Sequence, residues 1–131
     1  MTRAIQFALA TAALLLATLA PAQTVSISVN PASLLEDGTP NFTYTVTRSP
    51  ISATPTTVNI TTTGTATSSV DYTGGVLTVV IPANSATATI TLNPTADTIL
   101  EPDETVILTV APGSYTVGSP SSATGTIQND E

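Results

Sequence analysis

The chain has 131 residues, enough for one domain, and it carries nine acidic and two basic side chains for a net charge of −7. So few cations exclude a nucleic-acid-binding surface, which needs basic residues to neutralise phosphates. The absence of Cys and His excludes a disulfide framework, a thiol nucleophile and an ordinary zinc site.

The first 22 residues have the three parts of a secretory signal peptide. A short start with one cation, Arg3, precedes an apolar run from Ala4 to Leu19, and small residues at Ala20 and Ala22 match the cleavage pattern. The run is shorter than the roughly 20 residues that span a bilayer. We therefore predict a signal peptide at 1–22 and a domain at 23–131 that is exported from a bacterial cell to the exterior or the cell surface, without membrane insertion.

Seven runs in the remaining chain alternate apolar with polar residues, and turn residues such as Gly, Pro and Asn separate them. A period of two is typical of half-buried strands, and no segment after residue 22 has helical periodicity. The sequence therefore predicts an all-β fold, a seven-stranded antiparallel immunoglobulin-like β-sandwich. The runs span 25–30, 42–47, 57–61, 76–81, 86–93, 105–110 and 123–128.

All nine acidic residues fall in loops or at strand ends, in four segments that follow the first, third, fifth and seventh runs. Alternate junctions lie at the same end of an antiparallel sandwich, so we expect the segments to meet there. Their mutual repulsion favours a bridging cation, and calcium takes about 6–8 oxygen ligands. The alternative is a set of separate solvated loops. The segments are Glu36-Asp37, Asp71, Asp97 to Glu104, and Asp130-Glu131.

Four segments, in order, resemble the Calx-beta family across Thr24–Glu131. They are Gly64–Tyr72, which ends in Asp-Tyr, Ile81–Ile90, Asp97–Thr105 with its Glu-Pro-Asp-Glu, and Ala123–Asp130. The resemblance implies a two-sheet sandwich that binds calcium. The family serves as a calcium sensor in sodium–calcium exchangers and as a repeated module in bacterial surface proteins.

The resemblance also implies a ligand set and two departures from it. Ala96-Asp97 stands where the exchanger pattern has two Asp residues, and Asn129-Asp130-Glu131 stands where it has three. Fewer carboxylates imply fewer ions or weaker binding. The implied ligands are Glu36, Asp71, Asp97, the backbone carbonyl of Ile99, Glu101, Glu104, Asn129, Asp130 and Glu131.

The sequence thus predicts a secreted calcium-binding module, with neighbouring domains or surface proteins as further partners, and no enzyme. A glycosidase needs paired carboxyls beside a sugar cleft, and three Tyr with no Trp offer little surface for stacking a sugar. The alternative is a metal-free structural spacer of the same fold, either freestanding or part of a larger surface protein. Carboxylates that converge favour the calcium module, and carboxylates on separate faces favour the spacer.

Overall fold

The computed structural model describes residues 22–131, which form two five-stranded sheets. The sheet orders are β5-β7-β3-β1-β9 and β2-β10-β8-β4-β6. The strands are β1 (Thr24–Asn30), β2 (Ser33–Leu35), β3 (Phe42–Ser49), β4 (Thr56–Thr63), β5 (Tyr72–Thr73), β6 (Thr78–Ile81), β7 (Thr87–Pro94), β8 (Glu104–Val110), β9 (Thr116–Val117) and β10 (Ser122–Gln128).

The all-β prediction is confirmed, since residues 22–131 contain strands, turns and loops but no helix. In this part of the chain no helix could therefore cross a membrane. The predicted signal peptide lies outside the described residues except for Ala22.

The core lies between the sheets because each long strand turns its alternate apolar residues inward. On β3 the buried residues are Phe42, Tyr44 and Val46, with threonines between them. The Tyr44 hydroxyl donates a 2.7 Å hydrogen bond to the carbonyl of Val106 in the facing sheet, and burial raises the pKa of Tyr44 to about 12. A Cβ on Gly125 would lie only 2.6 Å from that hydroxyl, so glycine is required there.

The predicted number of strands was wrong. All seven predicted runs are strands, but β2, β5 and β9 are additional, and two or three residues are too few to produce a recognisable alternation. The sandwich is also not entirely antiparallel, since β9 pairs with β1 and β2 pairs with β10 in parallel. The predicted run at 76–81 is paired only from Thr78 onward.

Arg48 is buried at the end of the sandwich where β3 finishes, about 20 Å along that strand from Phe42. It is the one basic residue after Arg3. All five N–H donors of its guanidinium group are used in hydrogen bonds of 2.6–3.0 Å. The acceptors are the carbonyls of Ser52, Thr54, Pro82 and Ser85 and the hydroxyl of Thr56.

Candidate metal centre

The parallel pairing of β2 with β10 brings the first acidic segment to the C-terminal residues. Leu35 pairs with Gln128, and the Glu36 amide donates a 3.0 Å hydrogen bond to the carbonyl of Gln128. Because the two strands run in the same direction, the residues after Leu35 and after Gln128 leave the sheet side by side. Carboxylate oxygens of Glu36, Asp130 and Glu131 consequently lie within 4.8 Å of one another, and we call these residues the terminal triad.

A second group forms where the 65–71 segment crosses the start of β8. The Ala66 amide donates to the carbonyl of Thr105 at 3.1 Å, and Gly64, at φ +116°, turns the chain where a Cβ would collide with that carbonyl. The Asp71 carboxylate accepts the amide of Thr67, which fixes the side chain at the end of the segment.

Asp71 therefore lies beside the first residue of β8, Glu104. Carboxylate oxygens of Asp71, Glu101 and Glu104 lie within 4.8 Å of one another, and we call these residues the loop triad. Its members come from two acidic segments that are about 30 residues apart in the sequence, so only the folded sandwich assembles them.

The loop between β7 and β8 contacts the C-terminal segment. The Asp97 carboxylate accepts the Ile99 amide at 2.6 Å, which closes a tight turn. The Asn129 side chain then donates to the Ile99 carbonyl at 3.1 Å, and the Asn129 amide donates to Asp103 at 3.3 Å. These bonds hold the loop against the strand end from which the terminal triad continues.

Glu36 carries the strongest evidence that this end of the domain needs a cation. Its side chain is only 6% exposed, and its Oε1 atom is buried without a hydrogen-bond partner among the described residues. Burial raises the pKa of Glu36, and the charges of Asp97, Asp130, Glu101 and Glu131 raise it further. A buried carboxylate surrounded by like charges is costly unless a cation pairs with it.

The same electrostatics act on the loop triad. Burial raises the pKa of Glu104 to about 7, and a hydrogen bond and charge repulsion from Asp71 add to the effect, followed by Glu101 and Glu36. Since Glu36 is felt by Glu104 and Glu101 is felt by Glu36, the two triads form one connected acidic region. Oxygen donors without Cys or His suit a hard cation such as calcium.

The expected convergence of the acidic segments is confirmed, because the four segments meet at one end of the sandwich. Six of the nine implied ligands form the two triads. Asp97, Ile99 and Asn129 lie beside the triads but belong to neither. The metal-binding role of each residue stays a prediction.

Two acidic residues outside the implied ligand set also belong to this region. A hydrogen bond from Asp37 is the main cause that raises the pKa of Asp130, and Asp103 accepts the Asn129 amide. Their sequence positions, next to Glu36 and Glu104, were the available signal.

We expect the calcium-free domain to lose stability as the pH rises from about 4.5 to about 7. Glu104 holds its proton more tightly in the folded state than its ordinary pKa of 4.5 allows in the unfolded state, so deprotonation favours unfolding across this window. With solvent screening the loss should be on the order of 1 kcal/mol. Urea unfolding in chelator at pH 5 and pH 8 measures it, and no His titrates in between.

Glu104→Gln is the control for this pH dependence, because it removes the titrating group and should flatten the profile. An equal or higher urea midpoint at pH 8 than at pH 5 in the unaltered chain would contradict the electrostatic picture of the region.

A search of solved structures found domains of the same architecture. The apo-form Calx CBD1 domain superposes with a TM-score of 0.69 at 20% identity, covering 84% of this chain and 99% of that one. CBD12 from CALX1.2 gives a TM-score of 0.65 at 21% identity, covering 80% of this chain and 44% of that one. The calcium binding domain CBD12 of CALX1.1 gives 0.65 at 21%, covering 79% and 44%.

Comparison with protein-family models and with curated proteins gave no match. At 20–21% identity the structural likeness establishes the fold. The chain therefore has the β-sandwich fold of the Calx calcium-binding domains, as its sequence motifs implied.

Proposed function

We propose that this protein is a secreted, non-catalytic module that binds calcium at the end of the sandwich where its acidic residues converge. The observation that carries the proposal is the buried Glu36 carboxylate, which has an unpartnered oxygen and faces further carboxylates. The named likeness to a calcium binding domain supports the same reading. The convergence of the triads argues against the metal-free spacer, which has no need to gather its charges.

Calcium fits this region better than other divalent cations. It accepts irregular shells of 6–8 oxygens at flexible geometry, whereas magnesium demands a near-octahedral shell and retains several waters. The two triads lie side by side, so we propose one ion at each, with Glu36 and Glu101 close to both. The reduced number of carboxylates suits the affinity range of extracellular modules, about 10⁻⁴–10⁻³ M.

The expected consequence of binding is mechanical. The triads draw on the segment after β2, the 65–71 segment, the β7–β8 loop and the end of β10, so bound ions would join all four. Fixing the end of β10 would also fix the direction in which any following chain leaves the domain. A module in a surface protein or adhesin would use this stiffening to orient its neighbours.

Thermal unfolding of the chain in excess calcium, in magnesium and in chelator tests the proposal. Calcium at 100 times its dissociation constant stabilises a native state by about 2.7 kcal/mol. For a domain of this size the melting temperature should therefore rise by roughly 10–20 °C. Magnesium should give a much smaller rise. No shift in several millimolar calcium would contradict the proposal and leave the structural spacer.

Paired variants then locate the site. Replacing Glu101 and Glu104 by Gln removes two loop-triad carboxylates and should abolish most of the calcium-induced shift. Asp103→Asn is the matched control, because Asp103 lies in the same loop but in neither triad, and its shift should remain. An unaltered shift in the Glu101 and Glu104 variant would refute the ligand assignment.

A further inference from the structure

The chain leaves one sheet edge unprotected. The two sheets end in β5, β9, β2 and β6, and β6 is the longest of these edge strands at four residues. An open edge presents unpaired N–H and C=O groups to other chains, and soluble proteins usually protect such edges with charged residues. From Tyr72 to Ala96 this sequence contains no charged residue at all.

Exposed apolar side chains surround the same edge. Val80 on β6 is 50% exposed, and Leu77 just before it is 83% exposed. Val70 and Val76 are also exposed, and Leu77 forms one rim of a groove of about 240 Å³ whose floor includes Tyr72. A contiguous apolar patch beside an open edge is typical of an interaction surface.

The direction of the backbone groups on β6 can be read from its partner strand. The Ile60 amide of β4 donates to the carbonyl of Leu77 at 2.9 Å, which makes these two residues a hydrogen-bonded pair. Hydrogen-bonded and non-hydrogen-bonded pairs alternate in an antiparallel ladder. Val79 and Ile81 therefore also face β4, whereas Thr78 and Val80 direct their N–H and C=O groups to the open edge.

We propose that β6 pairs antiparallel with β6 of a second copy of this chain, so that two of the sheets become one ten-stranded sheet. Twofold symmetry about Val79 places Thr78 opposite Val80 of the second copy, and the two outward-facing pairs exchange four backbone hydrogen bonds. The alternative register, with the axis at Val80, places Thr78 opposite Pro82, which has no N–H to donate.

The first register also satisfies the side chains. Opposed residues in a ladder lie on the same face, so Leu77 meets Ile81 of the second copy, and the two Val79 residues meet at the axis. Leu77, the most exposed of the large apolar side chains near this edge, thereby gains a hydrophobic neighbour.

The charge distribution favours a second copy in this antiparallel orientation. The acidic region lies beyond the Thr78 end of β6, whereas Pro82, just after Ile81, contacts Arg48. Antiparallel pairing therefore places each acidic region far from the other, beyond the Debye length of about 8–10 Å, and a parallel arrangement would bring them together. Aromatic and arginine anchors of an ordinary heterologous interface are missing from the exposed part of this described edge.

Sedimentation equilibrium of the full chain over a range of concentrations, with calcium and with chelator, tests the pairing. We expect a monomer–dimer equilibrium in both conditions, with a dissociation constant of roughly 1–100 µM because a four-residue edge buries a small area. Hydrogen exchange should show the amides of Thr78 and Val80 becoming protected as concentration rises. A monomer at all concentrations up to about 1 mM would overturn the proposal.

Val80→Lys should weaken the dimer at least tenfold, because it places two cations face to face beside the axis. Thr89→Lys is the matched control, since it adds the same charge at an exposed position on β7 in the other sheet and should leave the dimer intact. Unchanged circular dichroism of both variants confirms that they fold. A dimer that needs calcium, or one that survives Val80→Lys, would overturn the proposal and point to an interface elsewhere.

Discussion

Arg48→Met should destabilise the domain by about 3–5 kcal/mol, more than any other single change considered for this chain. The guanidinium group is buried, and it pairs with neutral acceptors from the loops 50–56 and 82–86. Methionine fills part of the volume but leaves four carbonyls and one hydroxyl without a donor, and each unsatisfied buried group costs about 1–3 kcal/mol unless water reaches it.

Urea unfolding of the full chain in saturating calcium measures this loss, and the melting temperature should fall by roughly 15–30 °C. Arg48→Lys should recover only part of the stability, because a point-like ammonium group cannot reproduce the planar five-donor arrangement. Thr89→Ala, an exposed change on β7, should stay within about 0.5 kcal/mol of the unaltered chain. A loss below about 1 kcal/mol for Arg48→Met would show that water replaces the guanidinium contacts.

Glu36→Gln should have opposite effects on the calcium-free and the calcium-bound domain. Without calcium the substitution removes a buried charge that is repelled by its acidic neighbours, so stability should rise, by on the order of 1 kcal/mol. With calcium it removes a carboxylate from the terminal triad, so most of the calcium-induced stabilisation should disappear. The two melting curves should therefore move toward each other from both sides.

Asp103→Asn makes the same change of charge at the same end of the molecule, outside both triads, and should leave the separation of the curves largely intact. Thermal unfolding of both variants in calcium and in chelator compares them directly. If Glu36→Gln destabilised both states equally, Glu36 would be a packing residue, and the acidic region would lose its main argument for a cation.

The long strands were predictable because burial on one side imposes a period of two, as in Phe42, Tyr44 and Val46. β2 was not, because three residues with exposed ends contain no measurable period. It nevertheless decides the site, since its parallel pairing with β10 places Glu36 beside the C-terminal carboxylates. Parallel contacts between segments about 90 residues apart leave no local trace in a sequence.

The acidic end itself was predictable from the parity of strand junctions, which requires only the order of the strands. The division into two triads was not, because it depends on how the Gly64–Asp71 segment packs across the start of β8. Arg48 gave no signal either. Its alternation on β3 marks it as inward-facing, but the carbonyls that satisfy it come from two loops whose conformations the sequence does not reveal.

Isothermal titration of the full chain with calcium tests the central claim most directly. We predict saturable binding of two ions, with dissociation constants at or below roughly 1 mM, that is lost in large part in Glu36→Gln and retained in Asp103→Asn. A titration without binding heat or saturation, confirmed by equilibrium dialysis at several millimolar calcium, would contradict the claim. The converged carboxylates would then be only an acidic end on a structural module.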